Sequence, residues 1–389
     1  MTHFGAEEQI ILLSAGTAVR RQALREQARG LMANVNWSRL AEMLYYRRLL
    51  PTLGPRVLEL ADGHVDGGFA VAVKQAMEAE RRRGAFLQLI TMRVTAALAN
   101  AGIRSAALKG PLLGEAIYHD PGRRASGDID LLVDPDQLRE AVEVVRGLGY
   151  ESPTDHVEHE GLPLLHFALV HERGELPPVE LHWRIHWYER SFARERLLPP
   201  AVDPTNGWRP APADELAALL LFYARDGFID LRLATDVSAW WDAFGASLPC
   251  GALDELLSVY PALARVIPVA AKVAGNVVGL PATQLISAMP KRRVRDRVAV
   301  RLANPHPHTS QPQLYADMGL IDGLLMPRGS LRAFLRRQLM PPRAVLEERA
   351  RRTPERRRTS SLGHTVRVLG RYGLAMGRVI YTSKTLRTK

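Results

Sequence analysis

Apolar residues recur at helical spacing through almost all of the first hundred positions. Trp37 to Leu44 is amphipathic, with Ser38 as its expected capping residue, and Phe86 to Leu98 carries the spacing on into a long helix. The period then changes. Ile103 to Leu108 reads as a short strand ending at Lys109-Gly110-Pro111, and Leu112, Leu113, Ala116 and Ile117 predict a helix from Pro111 to Tyr118 with proline in its first turn. Ile129 to Val133 is a second strand. After it, Asp134-Pro135-Asp136 reads as N-cap, N1 and N2 of a helix whose face is Leu138, Ala141, Val142, Val145 and Leu148, stopped by Gly147 and Gly149. Leu164 to Val170 and Val179 to Ile185, the latter led in by Pro177-Pro178, read as two more strands. Helical spacing returns from about 210 to 300, in a capped apolar helix opening at Asp214 and another through Leu233, Asp236, Trp240 and Trp241.

The expected fold is therefore α+β, a small mixed-sheet core over 102–190 flanked by helical units at 1–101 and 191–302. Residues 303–389 form a linker, Pro/His/Ser-rich from about Ala303 to Pro312, and a basic C-terminal region. No internal repeat is visible.

Chemistry concentrates in the core. Asp128 and Asp130 sit one residue apart at the mouth of an apolar run, so on a strand they share a face while Ile129, Leu131 and Val133 meet the interior. Two ionised carboxylates side by side call for a cation between them, Mg²⁺ above all. Lys109-Gly110 followed by a helix N-terminus offers backbone N–H groups and a positive charge to a phosphate. Alternation in Val179-Glu180-Leu181-His182-Trp183 puts Glu180, His182 and Arg184 on one face, and Glu180 becomes a third acid if that strand lies beside the Asp128 strand.

Taken as a set, Leu108-Lys109-Gly110, Tyr118, Arg123 or Arg124, Asp128 to Val133 and Glu180 to Trp183 resemble the uncharacterised nucleotidyltransferase-like proteins of the DNA polymerase β superfamily. The chain departs from the superfamily pattern where Lys109 precedes Gly110 and Pro111 follows it. The resemblance implies a palm-like catalytic core that transfers an NMP from an NTP donor to an acceptor hydroxyl with release of pyrophosphate. It implies Mg²⁺ or Mn²⁺ on Asp128, Asp130 and Glu180, and nucleotide contacts from Lys109, Gly110, Arg123, Arg124 and His182. Asp236 matches a further family position, which on its own reads as a cap or a buried ion pair, and Arg225, Asp226 and Arg232 are candidates to line the cleft. The acceptor has no readable code; a small molecule, a peptide, a protein and an RNA all fit. The alternative is an inactive nucleotide-binding adaptor.

His182 and His186 stand at i and i+4, with His156, His159, His166 and His171 upstream, which raises a zinc site. The proline lead-in and the β-branched and aromatic content make the segment a strand and zinc the lesser reading. Asp134 reads as a cap.

Composition narrows the rest. One cysteine, Cys250, excludes an intramolecular disulfide and any thiolate zinc site and suits a reducing compartment. The N-terminus lacks a basic signal-peptide flank and no uninterrupted apolar run approaches roughly 18 residues, so no transmembrane segment is expected and the cytoplasm is the expected location. The net charge of +11 is uneven: from Pro327 onward there are 17 Lys or Arg and 3 Glu, whereas the remainder holds 35 basic and 38 acidic residues. That region, densest at 349–358 and amphipathic over 366–380, suits an anionic partner such as RNA, acidic lipid or an acidic protein, or else a solvated tail.

Overall fold

The computed structural model describes residues 5–63, 65–152, 165–203, 208–287, 293–303 and 311–339, with isolated positions beyond. His156, His159, most of the linker and most of the basic C-terminal region lie outside the described residues.

Six helices open the chain: α1 (Ala6–Ser14), α2 (Ala18–Ala23), α3 (Arg25–Met32), α4 (Trp37–Tyr46), α5 (Leu50–Ala61) and α6 (Gly67–Asn100). Asn36, not Ser38, caps α4, its side chain accepting the Arg39 N–H at 3.0 Å, which places Ser38 inside the first turn. Asp66 caps α6 and accepts from the Phe69 N–H. This helix begins well before Phe86 because residues 70–83 are mostly strong helix formers.

The core unit follows as β1 (Ser105–Ala107), α7 (Pro111–Tyr118), β2 (Ile129–Val133), α8 (Leu138–Arg146), β3 (Tyr150–Glu151), β4 (His166–His171) and β5 (Val179–His182). The sheet order is β1-β2-β5-β4-β3, with β2 and β5 parallel and the other neighbours antiparallel. Asp134 does cap, accepting the Asp136 N–H at 3.0 Å, but a 3-10 turn over Pro135–Gln137 precedes α8. The expected strand to Ile185 ends at His182.

Eight helices complete the described chain: α9 (Pro212–Arg225), α10 (Leu231–Phe244), α11 (Asp254–Val259), α12 (Val266–Val278), α13 (Ala282–Leu285), α14 (Val294–Leu302), α15 (Gln311–Leu325) and α16 (Leu331–Leu339). No side chain caps α9; Pro212 starts it, and Asp214 and Glu215 lie in its first turn, where the helix dipole favours acids.

The two sheet faces differ. Ile129, Leu131, Val133, Phe167, Leu169, Val179 and Leu181 pack with Leu87, Ile90, Val94 and Leu98 of α6 and with α8. Ala106 and Leu132, on the opposite face, join a larger core that both flanking helical regions share. The Thr17 N–H donates to the Val278 carbonyl and Asp242 accepts from the Ala18 N–H, both at 2.8 Å, stitching the N-terminal helices to the later ones. The stretch Pro261–Val278 is long and apolar enough to cross a membrane by length and composition, yet most of its α12 part is buried in this core.

Candidate active site

Sheet register builds the site. Asp130 stands directly beside Glu180 on the parallel strand β5, Leu132 beside His182, and His166 of β4 opposite His182. Alternation sends Asp130, Glu180, His182 and His166 to the face away from α6 and α8. There His182 Nε2 lies 2.9 Å from Asp130 Oδ1 and 3.3 Å from Glu180 Oε2, so one imidazole edge serves two carboxylates. Lys109 Nζ approaches the same Asp130 oxygen at 3.1 Å, and His166 Nε2 is 3.7 Å from Glu180 Oε2.

Phe222 of α9 forms the opposite wall. Its ring holds Lys109 Nζ at 4.5 Å and the Arg225 guanidinium at 4.9 Å from the centroid, two cation–π contacts on one aromatic side chain. Arg225 pairs with Asp226 through Nε, while its Nη1 is buried without a partner.

Burial alone would push the Asp130 carboxyl up, but Lys109 and the hydrogen bond with His182 outweigh it and hold Asp130 far below the usual carboxylate range. Glu180 follows the same logic: desolvation is outweighed by the His182 hydrogen bond and the nearby His166, and its carboxyl is lowered. His166 is pushed down to about 4, first by burial and then by His182. The result is two ionised carboxylates around a shared imidazole proton.

Gly110 has φ 94°, a conformation that strains any other residue, and a Cβ there would meet nothing within 4 Å. The open space and the turn let the backbone approach a ligand closely. Because Pro111 lacks an N–H, the first donors of α7 are the amides of Leu112 and Leu113.

Other sequence-derived residues fall elsewhere. Asp128 precedes β2, is half-buried and influences Arg232; it is not among the groups in contact with His182. Arg124 is buried and bound to Asp236 at 3.0 Å, with Nη1 on Ser126 Oγ at 2.7 Å, so its charge is already committed. Arg123 lies over the Tyr118 ring at 5.7 Å. Asp236, completely buried, also accepts from Tyr118 Oη at 3.0 Å, which makes it the buried ion pair that one reading foresaw. Arg184 lies past the end of β5, and His186 accepts the Tyr188 N–H through Nδ1, so the i, i+4 pairing with His182 does not form.

The donor set suits a divalent cation. Among the described residues, ligand atoms of His166, Glu180 and His182 lie within 4.8 Å of one another, and the shared His182 proton stands where a cation would replace it on binding. Two imidazoles with a carboxylate suit Mn²⁺ or Zn²⁺ better than Mg²⁺, which prefers oxygen. Sequence reasoning did not place His166 in the site, because only its antiparallel pairing with His182 brings it there.

A small mixed sheet with two adjacent-strand acids, a Lys-Gly turn at a helix N-terminus and helical flanks defines a nucleotidyltransferase-like core. Residues 33–269 match the family described as uncharacterised nucleotidyltransferase, and the chain belongs to it. No curated protein and no solved structure matches.

Proposed function

We propose that this chain is a metal-dependent nucleotidyltransferase that moves an NMP from an NTP to an acceptor hydroxyl and releases pyrophosphate. The observation that carries the reading is the convergence of Asp130 and Glu180, register partners on parallel strands, on a single His182 nitrogen with Lys109 alongside. A divalent ion, Mn²⁺ or Mg²⁺, held by Asp130 and Glu180 with His182 and His166 as nitrogen donors, would neutralise phosphate charge and acidify the attacking hydroxyl.

The chain's own groups do the positioning. Lys109 binds the β- and γ-phosphates with the amides of Leu112 and Leu113, and Gly110 admits them to the backbone. Glu180, ionised and one-quarter exposed, accepts the hydrogen bond of the attacking hydroxyl and orients it in line with the α-phosphorus. Arg225, with an unpartnered Nη1 beside this cluster, takes the role toward the equatorial oxygens that Arg124, bound to Asp236, does not fill. Cytoplasmic action, an acceptor among small molecules, peptides, proteins or RNA, and an anionic partner for the basic C-terminal region complete the proposal.

The test is incubation of the full chain with α-labelled NTPs, Mn²⁺ or Mg²⁺, and a panel of those acceptor classes. Labelled product that disappears in Asp130→Asn supports the reading. Nucleotide binding with no transfer to any acceptor and no pyrophosphate release would favour the adaptor instead.

A further inference from the structure

Outside the Asp130 cluster, a deep concavity lies between the segment that follows β5 and helices α12, α14 and α16. Its volume is about 1120 Å³, room for a ligand at the upper end of the small-molecule range, and it shares no lining residue with the Asp130 cluster. Six basic residues and two acidic ones line it, so its field is positive. Arg265 is engaged with Asp296 and with the Met326 carbonyl. The other five form no ion pair within 4.0 Å among the described residues; of these, Arg184 and Arg190 are carried on the segment after β5 and Lys272 on α12, whereas Arg293 and Arg328 precede α14 and α16.

Glu189 lies in the same wall and points to an occupant. It is 1% exposed, its Oε1 accepts the Ala193 N–H at 3.3 Å, and its Oε2 is buried with no partner. A buried carboxylate oxygen left without a donor is costly, and a ligand hydroxyl or ammonium would remove that cost. Trp187, Tyr260 and Phe334 add aromatic surface. The three lining cations on the segment after β5 and on α12 match a phosphate dianion better than a single carboxylate.

We propose that this cavity binds a small phosphomonoester with an apolar or aromatic body, its phosphate on Arg184, Arg190 and Lys272 and a hydroxyl or ammonium donated to Glu189. The site is independent of the NMP-transfer reading and stands or falls by direct binding.

O-phosphotyramine carries a phosphate, a ring and an ammonium, and phenyl phosphate lacks the ammonium. Titration calorimetry of the full chain should give saturable 1:1 binding of phosphotyramine, weakened about tenfold by Arg190→Ala or Lys272→Ala, the loss of one charge-assisted contact each. Glu189→Gln should weaken phosphotyramine by a similar factor and leave phenyl phosphate unchanged. Lys109→Ala should change neither. Arg190 and Lys272 are not buried, so their variants test the phosphate contacts without a folding defect. The proposal is overturned if neither phosphate binds saturably, if binding ignores Arg190, Lys272 and Glu189, or if it is lost with Lys109→Ala alone, which would place the phosphate at the Asp130 cluster.

Discussion

Asp130 and Asp236 are both buried aspartates within about 3 Å of a cation, and their surroundings diverge from there. Around Asp236 each oxygen has its own donor: Arg124 Nε and Tyr118 Oη address the two oxygens, and Ser126 takes the next guanidinium nitrogen. Burial and the neighbouring carboxylate push the Tyr118 hydroxyl well above its ordinary value, so it stays a proton donor. This network ties α10 to α7 and the connector into β2. Around Asp130 the capacities are shared and incomplete: one imidazole edge serves two acids, His182 Nδ1 is buried without a partner, and so is Arg225 Nη1. Burial does not distinguish a site from a brace. Unmet bonding capacity does, because it leaves room for a ligand to complete it.

The strongest way to break this contrast is Asp130→Asn. We expect a loss of transfer on the order of a thousandfold, since charge at the reacting phosphate goes uncompensated. The fold should survive, with stability lowered by about 2 kcal/mol for the lost charged hydrogen bonds to Lys109 and His182. Activity assays and calorimetric unfolding on the same samples decide it, and full activity would remove Asp130 from the mechanism.

Asp236→Ala should do the opposite. Leaving Arg124 buried and unpaired costs about 3–5 kcal/mol, seen as a lowered unfolding temperature, while activity per folded molecule stays within about threefold. A variant with native stability and no activity would turn the brace into a catalytic group and erase the comparison.

Lys109 sharpens the open side of the contrast. Its ammonium neutralises Asp130 without nucleotide and meets phosphate with it, so Lys109→Ala should raise the apparent KM for NTP about tenfold, or about 1.4 kcal/mol. An effect confined to acceptor kinetics would contradict the phosphate role.

The contrast also separates what local sequence encodes from what only tertiary pairing supplies. Alternation alone put Asp130 opposite the Ile129, Leu131 and Val133 core face, and Glu180 with His182 on one side of their strand, because side-chain direction in a strand is a local property. The α7 helix after Gly110 was legible for the same reason. His166 was not, since its place depends on which strand pairs with β5 and in which register. The pairing of Arg124 was not legible either, because its proximity to the metal strand in sequence says nothing of Asp236, 112 residues away. The cap of α4 went to Asn36 over Ser38 because both are good caps and only the chain's entry angle chooses between them.

A third buried acid, Glu189, gives the finest test, because it has neither an ion-pair partner like Asp236 nor a shared imidazole like Asp130. Burial is the main cause that pushes its carboxyl up to about 7, only partly offset by Arg184 and the Ala193 backbone N–H. Between the ordinary value of 4.5 and about 7 the native chain therefore holds a proton that the unfolded chain has released, so native stability falls as pH rises through this window. From pH 6 to pH 7 the fall should be about 1 kcal/mol, and it should level off above the native value. Glu189→Gln keeps the shape and removes the titration, so its stability relative to wild type should rise by that amount over the same interval, measured by urea unfolding at both pH values. An identical difference at pH 6 and pH 7 would mean that Glu189 is ionised in the native chain throughout, paired with a cation such as Arg184, and is a brace of the Asp236 kind.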